Sequence, residues 1–139
     1  MTAPGPPPAW FGAGPVRRLT TVAVGLVSLH SLAIAVALLL FTLPAVRLGG
    51  FPGVEPPFFV RQVGVFHLVV AIVYLVEYAR DRRVTLLVTI KTIAVVFLLV
   101  NLMIDRLPWS VGLSAVGDGA MALGVGLLAR QAHRREAGG

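Results

Sequence analysis

Four ionisable residues lie inside stretches of sequence that are otherwise apolar: His30, His67, Lys91 and Asp118. In the hydrocarbon core of a membrane a charged side chain costs roughly 2.5–3.5 kcal/mol on insertion scales, so it turns to the interior of a helix bundle and finds a partner there. Such groups can relay protons, contact a polar ligand, ligate a haem iron, or pair with one another to hold helices in register. The choice between these chemistries depends on whether the helices bring the four residues to one depth.

An arginine lies near one end of each apolar stretch, and the depth of the ionisable residue in that stretch can be counted from it. At a rise of about 1.5 Å per residue, both histidines and Asp118 lie roughly 18–19 Å from their arginines. Lys91 lies roughly 12 Å from Arg83, and its flexible stem extends its reach. In a hydrocarbon core about 30 Å thick, all four groups can then meet near the middle. We therefore expect Lys91 and Asp118 to form a buried pair or to share a polar network.

The composition is that of a membrane protein. Hydrophobic residues make up 57% of the 139 residues and charged residues 13%, with a mean hydropathy of +0.87, whereas a soluble domain carries about 25% charged residues. The chain has no cysteine, which excludes disulfides, thiol chemistry, iron–sulfur clusters and cysteine zinc sites. The net charge of +6 does not indicate nucleic-acid binding, because the basic residues lie at the ends of apolar stretches, where membrane topology explains them.

Four apolar stretches are long enough to cross a bilayer as helices. They predict an all-α integral membrane four-helix bundle in residues 18–130, with spans at residues 19–43, 60–79, 84–104 and 108–129. A flexible arm rich in proline and glycine (1–17) precedes the bundle, and a basic tail (131–139) follows it. Pro44 is expected to end the first span. Arginine is concentrated at one end of the spans, so the positive-inside rule places both termini in the cytoplasm.

Helical spacing places further polar residues on the faces of the last two spans. Asn101 shares a face with Lys91, while Ser110 and Ser114 share a face with Asp118. Glycines 112, 119 and 126 repeat every seven residues along the fourth span, which permits close contact with another helix, within the chain or between copies. These stripes are typical both of a hydrogen-bonded seam and of the lining of a ligand cavity or proton path. The sequence leaves both interpretations open.

Two cofactors fit the polar residues in different ways. A quinone head group needs a few polar contacts inside an apolar pocket, and His67, Lys91, Asn101 and Asp118 are candidates to supply them. A haem b needs two axial ligands at one depth, and His30 and His67 meet that condition. The sequence contains no nucleotide-binding loop, no metal-ligand spacing and no nucleophile–base motif, so no motif indicates an enzyme.

Three short motifs in the last three spans resemble those of a known group of membrane proteins. They are the stretch 59–64 (Phe-Val-Arg-Gln-Val-Gly), Lys91, and the triplet 117–119 (Gly-Asp-Gly). In these motifs the chain resembles the DoxX-like group of small bacterial four-helix membrane proteins, some of which are linked to quinone-dependent sulfur oxidation. The resemblance implies that Arg61, Lys91 and Asp118 line a pocket, and that the chain lies in a bacterial cytoplasmic (inner) membrane.

We interpret the chain first as an accessory or scaffold subunit, whose buried polar layer specifies helix pairing. A quinone-binding or lipid-binding subunit of a redox system is the second interpretation, and a bis-histidine haem electron-transfer protein is the third. A proton or ion path within a single copy is disfavoured, because the four spans show no inverted repeat or broken helices. The expected partners are the bilayer and either a second copy or another membrane protein, but no nucleic acid.

Overall fold

The computed structural model describes residues 14–137, with side chains up to residue 134, and the regular structure in this range is helical throughout. Five helices follow one another: α1 (Pro15–Leu40), α2 (Thr42–Leu48), α3 (Phe58–Asp81), α4 (Thr85–Ile104) and α5 (Trp109–Ala137). As the sequence predicts, four of them, α1, α3, α4 and α5, are long and apolar enough to cross a membrane. Most of the predicted N-terminal arm, residues 1–13, lies outside the described residues.

The ends of the helices differ from the predicted spans where prolines lie. Proline suits the first turn of a helix, because its φ is already helical and its missing N–H needs no partner there. Accordingly α1 begins at Pro15, and Pro44 lies in the first turn of α2 rather than ending α1, which ends at Leu40. The prediction for Pro44 is therefore wrong. At the other end of the chain, α5 extends to Ala137, so the basic tail continues the last helix.

The four spans are arranged as two closely packed pairs. α1 packs along α3, α4 packs along α5, and α1 also contacts α5, whereas α3 and α4 touch only sparingly. The turn from α3 to α4 is tight, with Arg82 in the left-handed region at a φ of 54°. Both carboxylate oxygens of Glu77 accept hydrogen bonds from the backbone N–H of Leu86, at 3.0 and 3.1 Å. Glu77 thereby caps the N-terminus of α4, where a negative charge is favourable.

Small residues bring α1 and α3 into close contact. A Cβ atom added to Gly64 would lie 2.9 Å from Cγ of Leu39, so a larger residue would force the helices apart. Ser31, Ala35 and Ala71 are also buried, as expected where two helices approach closely.

The apolar core fills the half of the bundle that lies toward the turn between α3 and α4. It is built from residues of all four spans: Val24, Val27, Val70, Tyr74, Tyr78, Leu87 and Val125. Large apolar side chains also cover the outside, and six of them are 70–87% exposed: Leu40, Leu48, Met103, Ile104, Val116 and Leu123. A continuous apolar exterior of this kind is suited to lipid rather than water.

The two ends of the bundle differ in charge. We call one the basic end, which carries Arg17, Arg18, Arg80, Arg82, Arg83 and Arg130. The opposite end carries α2 and is called the loop end. Ser110 of α5 donates a hydrogen bond of 2.6 Å to the carbonyl oxygen of Gly49, which fixes the end of α2 against α5.

Candidate functional site

Lys91 of α4 and Asp118 of α5 form a direct ion pair inside the bundle. The Lys91 side chain is 4% exposed and that of Asp118 is 13% exposed. The predicted pairing is thus confirmed. Because each charge would be costly in a membrane interior without the other, the pair ties the position of α4 to that of α5.

The register of α4 against α5 explains how the two residues meet. A Cβ atom on Gly119 would lie 3.8 Å from Val95, and one on Gly126 would lie 3.7 Å from Val88. Because the contacts move seven residues along each helix in opposite directions, the helices are antiparallel with a constant register. In this register Asp118 is level with residue 96, roughly 7.5 Å along the axis from Lys91. The Lys91 stem therefore extends toward the loop end to reach the carboxylate.

Of the three glycines that repeat along α5, two face α4. These are Gly119 and Gly126, whereas nothing lies within 4 Å of a Cβ atom built on Gly112. The two glycines flank Ala122, which is buried, and Gly119 directly follows Asp118. The row of small residues therefore permits the close approach of α4 and α5 around the charges.

Four buried polar atoms have no hydrogen-bond partner among the described residues: Ser28 Oγ, Ser31 Oγ, His67 Nδ1 and Tyr74 Oη. Ser31 is 0% exposed and Tyr74 is 1% exposed. A buried hydroxyl in a helix commonly donates to the carbonyl four residues earlier, as Thr20 does to Val16 at 2.9 Å. Since buried polar atoms are nearly always satisfied, these four have hydrogen-bonding capacity left for water or for a polar ligand.

The unpaired atoms belong to α1 and α3, and the ion pair belongs to α4 and α5. The two sets are joined by packing, because Tyr74 of α3 lies in the same core cluster as Leu87 of α4 and Val125 of α5. The interior of the bundle thus contains polar residues from every span, and we call these six residues the polar layer.

His30 does not belong to this layer. It is exposed on the outside of α1, so the prediction that it faces the interior is wrong. Its neighbour Ser31, about 100° further round the helix, is buried instead, because the contact with α3 requires small side chains. With His30 outside, the interior holds only one of the two histidines that a bis-histidine haem would need.

Two further predicted site residues make local contacts of their own. The Asn101 side chain donates to the carbonyl oxygen of Phe97, one turn earlier in α4, at 2.8 Å. Arg61 is exposed, and its Nε lies 3.5 Å from Oγ1 of Thr42 near the loop end. Of the six predicted residues, the polar layer therefore brings together three: His67, Lys91 and Asp118.

Ser28, Ser31 and Tyr74 are not among the site residues predicted from the sequence, yet they belong to the layer. The signal for the serines was present, because Val24, Ser28, Ser31 and Ala35 follow one another at helical spacing and form a line of small or compact residues. Such a line marks the face of a membrane helix that contacts another helix. Among the described residues, no cluster of three or more His, Asp or Glu side chains is suited to a metal ion.

Comparisons with known proteins leave the chain without an assigned relative. No family model matches it, and neither the curated proteins nor the solved structures include one that is significantly similar.

Proposed function

We propose that the chain is a non-catalytic scaffold subunit that spans a bacterial cytoplasmic membrane four times and forms part of a larger membrane assembly. The observation that carries this proposal is the buried pair of Lys91 and Asp118. These charges satisfy one another, while Asn101 and Arg61 make separate contacts. A buried polar pair can fix the register of two helices without increasing their stability, and a fixed register is what a scaffold requires.

The experiment that tests this role is native gel electrophoresis of the chain extracted from its own membrane in mild detergent. A scaffold should migrate in an assembly larger than a single copy. The double variant Lys91→Leu/Asp118→Leu leaves no charge unpaired but removes the pair that fixes the register, so it should fold and enter that assembly less completely than the wild-type chain. A folded chain that migrates alone would contradict the scaffold role.

We propose further that the basic end faces the cytoplasm, together with both termini. Its support is the arginine distribution, because eight arginines of the sequence, the six named above with Arg134 and Arg135, lie at that end and three, Arg47, Arg61 and Arg106, lie toward the other. The absence of cysteine from the sequence makes single-cysteine labelling unambiguous. A membrane-impermeant maleimide applied to intact cells should label Gly53→Cys and leave Gln131→Cys unlabelled. The reverse pattern would overturn the orientation.

A second candidate function, binding of a quinone head group, is favoured by the four buried polar atoms of α1 and α3 that have no hydrogen-bond partner among the described residues. The resemblance to DoxX-like proteins points in the same direction. Solvent extraction of the purified protein should then yield quinone in proportion to protein. Ser31→Ala and Tyr74→Phe should reduce the yield, whereas Ser114→Ala, which changes an exposed serine on α5, should not. An equal yield from all variants would remove this candidate.

A further inference from the structure

A groove of about 410 Å³ lies between α4 and α5 at the basic end. Its deeper part has apolar walls that include Val88, Leu123 and Leu127. Leu123 and Leu127 are also exposed to the surroundings of the bundle, so the groove can be entered sideways from the lipid phase. Its outer part is lined by basic residues: Arg82, Arg83, Arg130 and His133.

Charge distinguishes this groove from two others at the same end. A second groove of about 290 Å³ contains Asp81 beside Arg17 and Arg82. A third, of about 500 Å³, contains Glu77 and Asp81 beside its arginines. Among the described residues that line the groove between α4 and α5, none is acidic. Of the three, that groove is therefore the one in which the charged residues of the described lining are all basic, although Arg83 also borders the third groove beside Glu77 and Asp81.

We propose that this groove binds one anionic phospholipid, with its phosphate between Arg83 and Arg130 and an acyl chain along Val88, Leu123 and Leu127. Arginine is the side chain best suited to phosphate, because its planar guanidinium donates two parallel hydrogen bonds. Arg83 lies two residues before the start of α4 and Arg130 lies near the end of the apolar part of α5, so both lie at the depth of lipid headgroups. Specific recognition of this kind is typical of basic pockets between membrane helices.

The N-terminus of α4 has a secondary role in this site. It carries partial positive charge, but Glu77 already accepts hydrogen bonds from the Leu86 N–H. The two arginines are thus the principal contacts of the phosphate. An apolar groove that continues beyond them selects a lipid over a free phosphate ester.

The test is a lipid titration of the protein in detergent, followed by native mass spectrometry. Phosphatidylglycerol should bind at least tenfold more tightly than phosphatidylcholine with the same acyl chains. Each basic residue beside an anionic lipid contributes about fivefold. We therefore expect Arg83→Gln/Arg130→Gln to weaken phosphatidylglycerol binding about 25-fold, if the two contributions add.

The matched control is Arg80→Gln, which removes a positive charge from the same end but in the third groove, and it should change binding by less than about twofold. A second variant, Leu123→Ser/Leu127→Ser, alters no charge. Both leucines are exposed, at 70% and 56%, so their replacement leaves the contact of α4 with α5 intact and makes the apolar wall of the groove polar. It should weaken binding at least tenfold, with helix content unchanged by circular dichroism.

Three results would overturn the proposal. They are equal binding of both phospholipids, an Arg80→Gln effect as large as that of the arginine double variant, and binding unaffected by Leu123→Ser/Leu127→Ser. Competition with glycerol 3-phosphate distinguishes a site for lipid from a site for free phosphate esters. If glycerol 3-phosphate displaces the lipid at equal concentration, the apolar groove contributes nothing and the site is one for free phosphate esters.

Discussion

Replacing Lys91 with leucine removes the cation and leaves Asp118 in the interior. Breaking a buried ion pair in this way costs about 3–5 kcal/mol in soluble proteins, but polar interactions within membranes measure lower, at most about 1.7 kcal/mol in one series. Asp118 keeps 13% of its side-chain surface exposed, which also limits the cost. We expect Lys91→Leu to lower the free energy of unfolding by about 2–3 kcal/mol and Asp118→Asn to lower it by about 1–2 kcal/mol.

The double variant should cost less than the sum of the two single changes, with a difference of at least about 1 kcal/mol, because neither charge is left alone. The assay is unfolding by sodium dodecyl sulfate in mixed micelles, followed by far-ultraviolet circular dichroism. Asn101→Leu supplies the control, since Asn101 bonds within its own helix and should combine additively with Asp118→Asn. Losses for Lys91→Leu and Asp118→Asn that add to within about 0.5 kcal/mol would refute the reasoning.

Three further predictions use the same unfolding assay. Gly64→Ala should destabilise the protein by about 1–3 kcal/mol by overpacking the contact of α1 with α3, whereas Gly112→Ala, which meets no atom within 4 Å, should not destabilise it. Glu77→Ala should cost about 0.5–2 kcal/mol through the lost cap of α4, and no loss would show that the cap is inert. The hydroxyls of Thr21 and Tyr78 lie 2.9 Å apart, so Thr21→Val and Tyr78→Phe should each cost about 1 kcal/mol and the pair no more than about 1.5.

The sequence predicts the pairing of Lys91 with Asp118 because depth along a helix follows from counting residues. An interior charge in a membrane needs a partner, so two opposite charges at reachable depth define their own contact. The same reasoning cannot determine rotation about the helix axis. α1 is apolar on almost every side, so hydrophobicity does not indicate which face is buried, and His30 was placed on the wrong one.

Local contacts account for the other differences between prediction and structure. Asn101 lies on the face expected from its spacing, but a carbonyl of its own helix is within reach and accepts its hydrogen bond. A proline interrupts backbone hydrogen bonds in the interior of a helix but not in its first turn. Because α2 begins at Thr42, Pro44 lies in the first turn of a new helix. Alternatives of this kind depend on backbone geometry, which residue spacing does not specify.

The most direct test of the scaffold proposal is the visible absorption spectrum and the solvent extract of the wild-type protein purified in mild detergent. If the polar layer serves to pair helices, the protein should show no haem absorption, and the extract should contain no quinone in proportion to protein. A haem band or a stoichiometric quinone that Lys91→Leu/Asp118→Leu abolishes in a folded protein would contradict the proposal.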